Sequence, residues 1–186
     1  MLNSTELKNG VTFLRNNKPY KVVKYSLIKM GRGGATVKLL ARNLENGATE
    51  PLSLSSNVKV EDFSTQKRRL QYLYKDAQNA VFMNPESFEQ VEIPLSVIGD
   101  DIAYIKEGSE ADVLYWEEKA LSIDLPPKIV LEVVDTDPGV KGNSASNIYK
   151  SATLENGLNV KVPLFIKAGE KVRVDTRTGE YIERAK

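Results

Sequence analysis

The sequence predicts an all-β protein built as three barrel-like modules, and three observations carry that prediction. Apolar residues recur with period two: Val37, Leu39 and Ala41 alternate with Lys38, Leu40 and Arg42, and Leu70, Tyr72 and Tyr74 alternate with Gln71, Leu73 and Lys75. That is the pattern of half-buried strands. Turn chemistry interrupts the chain at short intervals, as in Asn16-Asn17-Lys18-Pro19 and Asn46-Gly47, where asparagine and glycine tolerate left-handed backbone and proline presets φ. Two breaks, Ser64-Thr65-Gln66-Lys67 and Pro126-Pro127, divide the 186 residues into stretches 1–64, 65–127 and 128–186. Almost no stretch supports a long helix, and the spacing of turn signals fits small all-β modules.

In chain order, Gly10 to Arg15 reads as a first short strand, Lys21 to Ile28 as a second and Ala35 to Arg42 as a third. Glu50 to Leu54 and Val58 to Phe63 complete the first module. In the second, Leu70 to Lys75 and Ala80 to Met83 read as strands. Asn84-Pro85-Glu86-Ser87 reads as a short helical turn with an asparagine cap and proline at its first position. Val97 to Ile105 reads as a strand broken at Gly99-Asp100-Asp101, and Ala111 to Trp116 with Ala120 to Leu125 as a hairpin turning at Glu117-Glu118-Lys119. A lone Trp116 in such a strand is more often core than a stacking platform. The third module opens at Ile129 to Val134. After the polar loop 137–147 come Ser151 to Leu154, Asn159 to Phe165 and Lys171 to Asp175, then a last hairpin over Thr176 to Tyr181.

Composition narrows the chemistry. The chain has no cysteine and no histidine, which removes disulfides, thiolate metal sites, the usual general base and Ser-His triads. No signal peptide or membrane-length apolar run is visible, so a cytoplasmic protein without a membrane partner is expected, and no metal or other cofactor. The net charge of +1 conceals a division: residues 1–64 hold 10 Lys/Arg and 5 Asp/Glu, residues 65–128 hold 7 and 12, and residues 129–186 hold 9 and 8. A basic first module beside an acidic second favours a polyanion partner for the first.

Between the second and third strands stands Lys29-Met30-Gly31-Arg32-Gly33-Gly34. One arginine among three glycines, at the expected end of a hairpin, is a planar permanent charge suited to phosphate or base edges. The same six residues also fit an ordinary glycine turn carrying a solvated charge. As a strand, residues 35–42 span about 26 Å, enough to hold such an end away from its barrel.

A longer pattern carries a family resemblance. Lys150-Ser151-Ala152, Gly157, Val160-Lys161-Val162-Pro163, Ile166 and Gly169 resemble the carboxy-terminal signature of bacterial elongation factor P. So do the ending from Val174 to Tyr181, the stretch Gln71 to Asp76, and Phe82-Met83-Asn84 followed by Glu86 to Gln90. The resemblance runs the length of the chain in register. It implies a KOW/SH3-like barrel followed by two OB-fold barrels, L-shaped overall. It implies a monomeric, non-enzymatic translation factor that binds the 70S ribosome, through rRNA and ribosomal proteins, between the peptidyl and exit sites. There it would position the CCA end of peptidyl-tRNA and relieve stalling at consecutive prolines.

Arg32 takes the family's tip position, where members carry lysine or arginine that can be extended after translation, arginine by a glycosyltransferase adding rhamnose. Lys29, Gly31, Gly33 and Gly34 complete the tip, and Lys38 and Arg42 are expected to add phosphate contacts along the hairpin. In the third module the resemblance implies an RNA-contacting loop with Pro138, Gly139, Lys141, Gly142, Asn143 and Ser144, and carboxy-terminal contacts from Tyr181 and Arg184. Two departures stand out: Met30 replaces a tip proline found in many members, and Asn143-Ser144 replaces Asp-Thr. The alternatives are a paralogue resembling elongation factor P, a generic OB-fold RNA-binding protein reading bases on Tyr72, Tyr74, Tyr115 and Trp116, and an enzyme using Asp100-Asp101 or Glu117-Glu118. The last fits poorly, because adjacent strand residues point to opposite faces.

Overall fold

The computed structural model describes residues 1–30, 34–138 and 149–185. The chain divides into two compact units, Met1–Asp124 and Leu125–Lys186.

The first unit begins with β1 (Leu2–Asn3) and continues through β2 (Thr12–Arg15), β3 (Lys18–Met30), β4 (Gly34–Asn43), β5 (Thr49–Ser55) and β6 (Lys59–Val60). Strands β2-β3-β4-β5 form an antiparallel sheet, β1 pairs with β6, and a bridge from Leu14 to Glu61 ties the two together. The β2–β3 turn is made by Asn16 and Asn17 at φ 52° and 58°, the left-handed backbone that asparagine tolerates. The expected alternation holds along β4: Val37, Leu39 and Ala41 are buried with Leu7, Phe13, Tyr20, Val22 and Leu52. Burying one such aliphatic or aromatic side chain stabilises by about 1.5–3 kcal/mol. Phe13 stacks on Tyr20 with ring centroids 5.7 Å apart.

A second sheet in the same unit contains β7 (Gln66–Lys75), β8 (Asn79–Met83), β9 (Gln90–Pro94), β10 (Glu110–Trp116) and β11 (Lys119–Asp124), in the order β11-β10-β7-β8-β9. Its edge strands β9 and β11 approach each other, which curls the sheet into a barrel. The β10–β11 hairpin turns at Glu117 and Glu118, both at positive φ. Between β8 and β9, Asn84 closes the loop: its Oδ1 accepts from the Glu86 amide at 2.9 Å, and its carbonyl accepts from the Phe88 amide at 2.9 Å.

Three sequence readings change here. The strand expected from Val97 to Ile105 is instead a helical turn, α1 (Leu95–Ile98), followed by a 3-10 helix over Gly99–Tyr104. Val97 and Ile98 are both buried, the Gly99 amide bonds back to the Leu95 carbonyl, and Gly99 sits at φ 64°, ψ −142°, outside the extended backbone that a continuing strand needs. The strand expected from Val58 to Phe63 shortens to β6. Strand β9 was not foreseen, although Val91 and Ile93 alternate with Gln90 and Glu92.

The second unit holds β12 (Lys128–Thr136), β13 (Tyr149–Leu154), β14 (Asn159–Pro163), β15 (Lys171–Asp175) and β16 (Tyr181–Arg184), in the order β14-β13-β12-β15-β16. Leu131, Val133, Ala152, Leu154, Val160, Val162, Ile166, Val172 and Val174 are its buried apolar residues. The architecture is all-β throughout, with α1 the only α-helix among the described residues.

Candidate functional site

The hairpin of β3 and β4 stays in register to its end. After a bulge at Val22/Lys24, every residue of β3 from Lys24 pairs with one of β4, finishing with Lys29 opposite Ala35 and Met30 opposite Gly34. Residues 31–33, and with them Gly31, Arg32 and Gly33, lie outside the described residues. Gly34 has φ 83° and open space where a Cβ would sit, so glycine there serves conformation rather than close packing.

The two sides of the hairpin differ. On the β4 side, β5 pairs as far as Thr36 opposite Ser55, and the Ser56 amide donates to the Ala35 carbonyl at 2.9 Å. The free length beyond the supporting strand is therefore much shorter than the full span of residues 35–42. On the other side β2 pairs only up to Lys21, and Val22 bonds to Gly10 and Val11. Beyond Val22, then, β3 is a sheet edge carrying exposed Lys24 and Lys29. Lysines on an edge discourage strand addition and leave cations near the hairpin's end. Lys8 lies over the Tyr25 ring, its Nζ 3.7 Å from the centroid.

Lys38 and Arg42, grouped together in the sequence reading, are separated by the structure. Lys38 is exposed, opposite Ser26 and Ser53. Arg42 is half-buried, and its Nη1 donates to the Ile98 carbonyl at 3.1 Å, with the Val97 carbonyl at 3.5 Å. It caps the last carbonyls of α1 and is not turned toward an external phosphate. Directly across the strand pair from Arg42 stands Lys21, whose Nζ meets Asp101 Oδ2 at 2.6 Å and the Ile123 carbonyl at 3.4 Å. The enzyme alternative's Asp101 is thus engaged by Lys21, and Glu118 by Arg68 at 2.6 Å.

Around these contacts Leu44, Val97 and Leu121 are buried together, with Phe63 and Trp116 packed on them. Phe63 and Trp116 meet edge to face at 5.3 Å. Trp116 therefore belongs to the seam between the two sheets of this unit. Sequence reasoning missed Lys21 and Asp101 as partners; their signal would have been two charges 80 residues apart, which no local pattern reveals.

Of the four aromatics that could have served as a base-stacking platform, Tyr72 and Tyr115 are buried, Trp116 is in the seam and Tyr74 is exposed. Part of the acidic character of the second sheet is answered within it: Arg69 bridges Glu110 and Asp112, and Lys67 pairs with Asp124, while Arg68 lies over the Tyr115 ring. Asp124 raises the Lys67 pKa through a direct hydrogen bond.

In the second unit, Pro138 is exposed at the end of the described part of its loop. Gly139, Lys141, Gly142, Asn143 and Ser144 lie outside the described residues. The stem is held by Thr136, whose Oγ1 donates to the Ser151 carbonyl at 3.0 Å, and by the Asp137 amide, which donates to the same carbonyl at 3.2 Å. Tyr181 pairs with Val174 across β15–β16, and burial raises its phenol pKa. Arg184 reaches Glu170 at 3.3 Å, both partly exposed. Nearby, the Asp175 carboxylate is held below its usual range by hydrogen bonds from the Arg177 side chain, at 2.6 and 3.1 Å, and from the Arg177 amide. Among the described residues no group of three or more acidic side chains is arranged to hold a metal ion, and no helix is long and apolar enough to cross a membrane.

Three family models match in series: the elongation factor P KOW-like domain over residues 3–60, the elongation factor P OB domain over 65–123, and elongation factor P, C-terminal, over 129–184. Elongation factor P of a Synechococcus species is 39% identical over 184 residues, covering 99% of this chain and all of that protein. Elongation factor P of Maridesulfovibrio salexigens is 39% identical over 186 residues, covering both chains fully. Among solved structures, eukaryotic translation initiation factor 5A from Methanococcus jannaschii is 20% identical, with a TM-score of 0.41, over 66% of this chain and 94% of that one.

Proposed function

This chain belongs to the elongation factor P family, and from that premise we propose how it acts as a translation elongation factor. It binds the 70S ribosome as a soluble cytoplasmic monomer of three domains, 1–64, 65–127 and 128–186, between the peptidyl and exit sites. There Arg32, with or without a sugar added by an arginine-modifying glycosyltransferase, contacts the CCA end of peptidyl-tRNA and limits its motion. Lys29 and Lys38 add phosphate contacts on the hairpin. The loop with Pro138, Gly139, Lys141, Gly142, Asn143 and Ser144, together with Tyr181 and Arg184, meets RNA at the other end of the chain.

The chemistry asks little of the protein's own side chains. Peptidyl transfer takes place in ribosomal RNA, so the factor need supply no acid, base or nucleophile. Proline is stiff and a poor nucleophilic substrate, and a slow reaction gains most from a well-held donor. Orientation of reactants can contribute several kcal/mol, up to about 7–11 in favourable cases.

The observation that carries the reading is the register of the hairpin. Met30 pairs with Gly34, so paired strands lead to the segment that holds Arg32 while β5 backs them to Ala35. An arginine carried on such a stem meets a partner at lower ordering cost than one on a free loop.

The test is a translation reporter with three consecutive prolines, comparing wild type, Arg32→Ala and Arg32→Lys at equal folded concentration. The alanine variant should fold normally and lose about tenfold or more of the stimulation, the loss of one charge-assisted contact in the transition state. The lysine variant should recover part, since a point charge does not reproduce the planar fork. Full stimulation by Arg32→Ala would overturn the reading.

A further inference from the structure

The two sheets of the first unit meet through an ion pair, an arginine bonded to backbone carbonyls and an apolar cluster. Lys21 and Arg42 are direct cross-strand partners, and like charges placed so are destabilising when left alone. Both are answered by the neighbouring module: Lys21 by Asp101 at 2.6 Å, Arg42 by the Ile98 carbonyl at 3.1 Å. The Lys21–Asp101 pair is only 17% and 24% exposed, unlike the solvated pairs elsewhere on the sheets.

Two glycines, one from each module, make the approach possible. A Cβ at Gly47, in the β4–β5 turn, would lie 2.6 Å from the Ser96 carbonyl oxygen, and a Cβ at Gly99 would overlap the Arg42 guanidinium. The apolar cluster of Leu44, Val97 and Leu121 closes the joint.

We propose that Arg42, Lys21 and Asp101 are positioning residues, a brace that fixes the angle of the β3–β4 hairpin to the central module and so sets where the hairpin's end points. The proposal rests on the functional reading above for what that end does, and on the seam alone for the brace. Leverage makes the angle matter. Gly34 lies eight residue steps along β4 from Arg42, a lever of about 26 Å. A swing of about 5° at the seam moves the far end by about 2 Å, and misplacement of about 1 Å can cost up to about a hundredfold in rate. The brace touches no substrate; it acts through the hairpin.

The test uses the full chain, which lacks cysteine, so spin labels can be placed at Ser26→Cys and Glu92→Cys without background. Both positions are exposed and outside the seam. Pulsed dipolar spectroscopy should give a narrow distance distribution in the otherwise wild-type chain and a clearly broader one when Arg42→Met and Asp101→Asn are combined. Without labels, that double variant should lower maximal stimulation on consecutive prolines by about three- to tenfold. The concentration needed for half the effect should change by less than about twofold. Lys21→Glu should behave similarly, and adding Asp101→Lys to it should restore most of the narrow distribution and of the stimulation, which a general loss of stability would not allow.

An unchanged distribution in the double variant would overturn the brace. A broadened distribution with full maximal stimulation would overturn its positioning role. A change confined to the half-effect concentration would do the same, assigning the seam to binding instead. Failure of the Arg32→Ala test alone would strike the functional reading and leave the distance measurements standing.

Discussion

The two five-stranded sheets share one strand order and differ in what fills the gap between their third and fourth strands. In each, the first strand is central, flanked by the second and fourth, with the third and fifth at the edges. In the central module the gap between β9 and β10 holds α1 and the Gly99–Tyr104 3-10 helix. In the second unit the gap between β14 and β15 is a tight stretch, with the Ile166 amide donating to the Pro163 carbonyl at 3.1 Å and the Gly169 amide to the Val133 carbonyl at 2.8 Å. Both fillings drive one isoleucine, Ile98 or Ile166, fully into the interior. The central one carries Ser96, Gly99 and Asp101 against the first sheet of its own unit. A plug is thus common to both sheets, and in the central module the longer filling also forms the joint.

That comparison can be broken first at the plugs. Ile98→Ala and Ile166→Ala should each cost about 2–5 kcal/mol, the range for truncating a buried aliphatic side chain. The check is urea unfolding followed by a probe in the affected module. A loss below about 1 kcal/mol at either site would mean that the filling there is not a plug.

The next largest difference should come from two glycines that look alike in sequence. Gly99 and Gly169 both have positive φ, but Gly99 faces the Arg42 guanidinium and Gly169 faces open space. Gly169→Ala should therefore cost only backbone strain, about 1–2 kcal/mol. Gly99→Ala adds displacement of a charge-assisted bond and should cost about 3 kcal/mol or more in total. Equal losses would remove the distinction between plug and joint.

The smallest expected effect lies in the second unit and depends on pH. Asp175 is held below the ordinary carboxylate value of 3.8 chiefly by the Arg177 side chain. A depressed carboxylate contributes stability that is full above the unfolded-state value and is lost as pH falls through the lower folded value. Asp175→Asn should thus cost about 1 kcal/mol at neutral pH. The gap from wild type should close as pH falls from about 4 toward about 2. Denaturation midpoints across that range check it, and a gap that widens on acidification would reverse the assignment.

Local chemistry made much of the fold legible. Period-two burial along Val37, Leu39 and Ala41, the left-handed Asn16-Asn17 turn and the β10–β11 hairpin all follow from neighbouring residues. The α1 segment misled because Val97-Ile98 before Gly99-Asp100-Asp101 looks like a strand meeting a turn, and the helical bond from the Gly99 amide to the Leu95 carbonyl leaves no mark in so short a stretch of sequence. The site was legible in part. The strand patterns on either side of the glycines marked a hairpin, whose pairing runs to Met30 and Gly34, but Arg42 read as one more surface cation. Its partner is a backbone carbonyl 56 residues away, and no side-chain pattern announces a carbonyl. Lys21 and Asp101 were hidden for the same reason, since their pairing exists only once two barrels have folded and met.

The measurement that bears most directly on the account is a cross-link from the hairpin's end. Because the chain has no other cysteine, Arg32→Cys can carry a short thiol-directed photo-cross-linker, with the factor bound to ribosomes stalled on consecutive prolines. A cross-link to the terminal CCA nucleotides of the peptidyl-site tRNA is expected, lost when that tRNA is absent. Cross-links only to ribosomal RNA or protein away from the tRNA's acceptor end would contradict it.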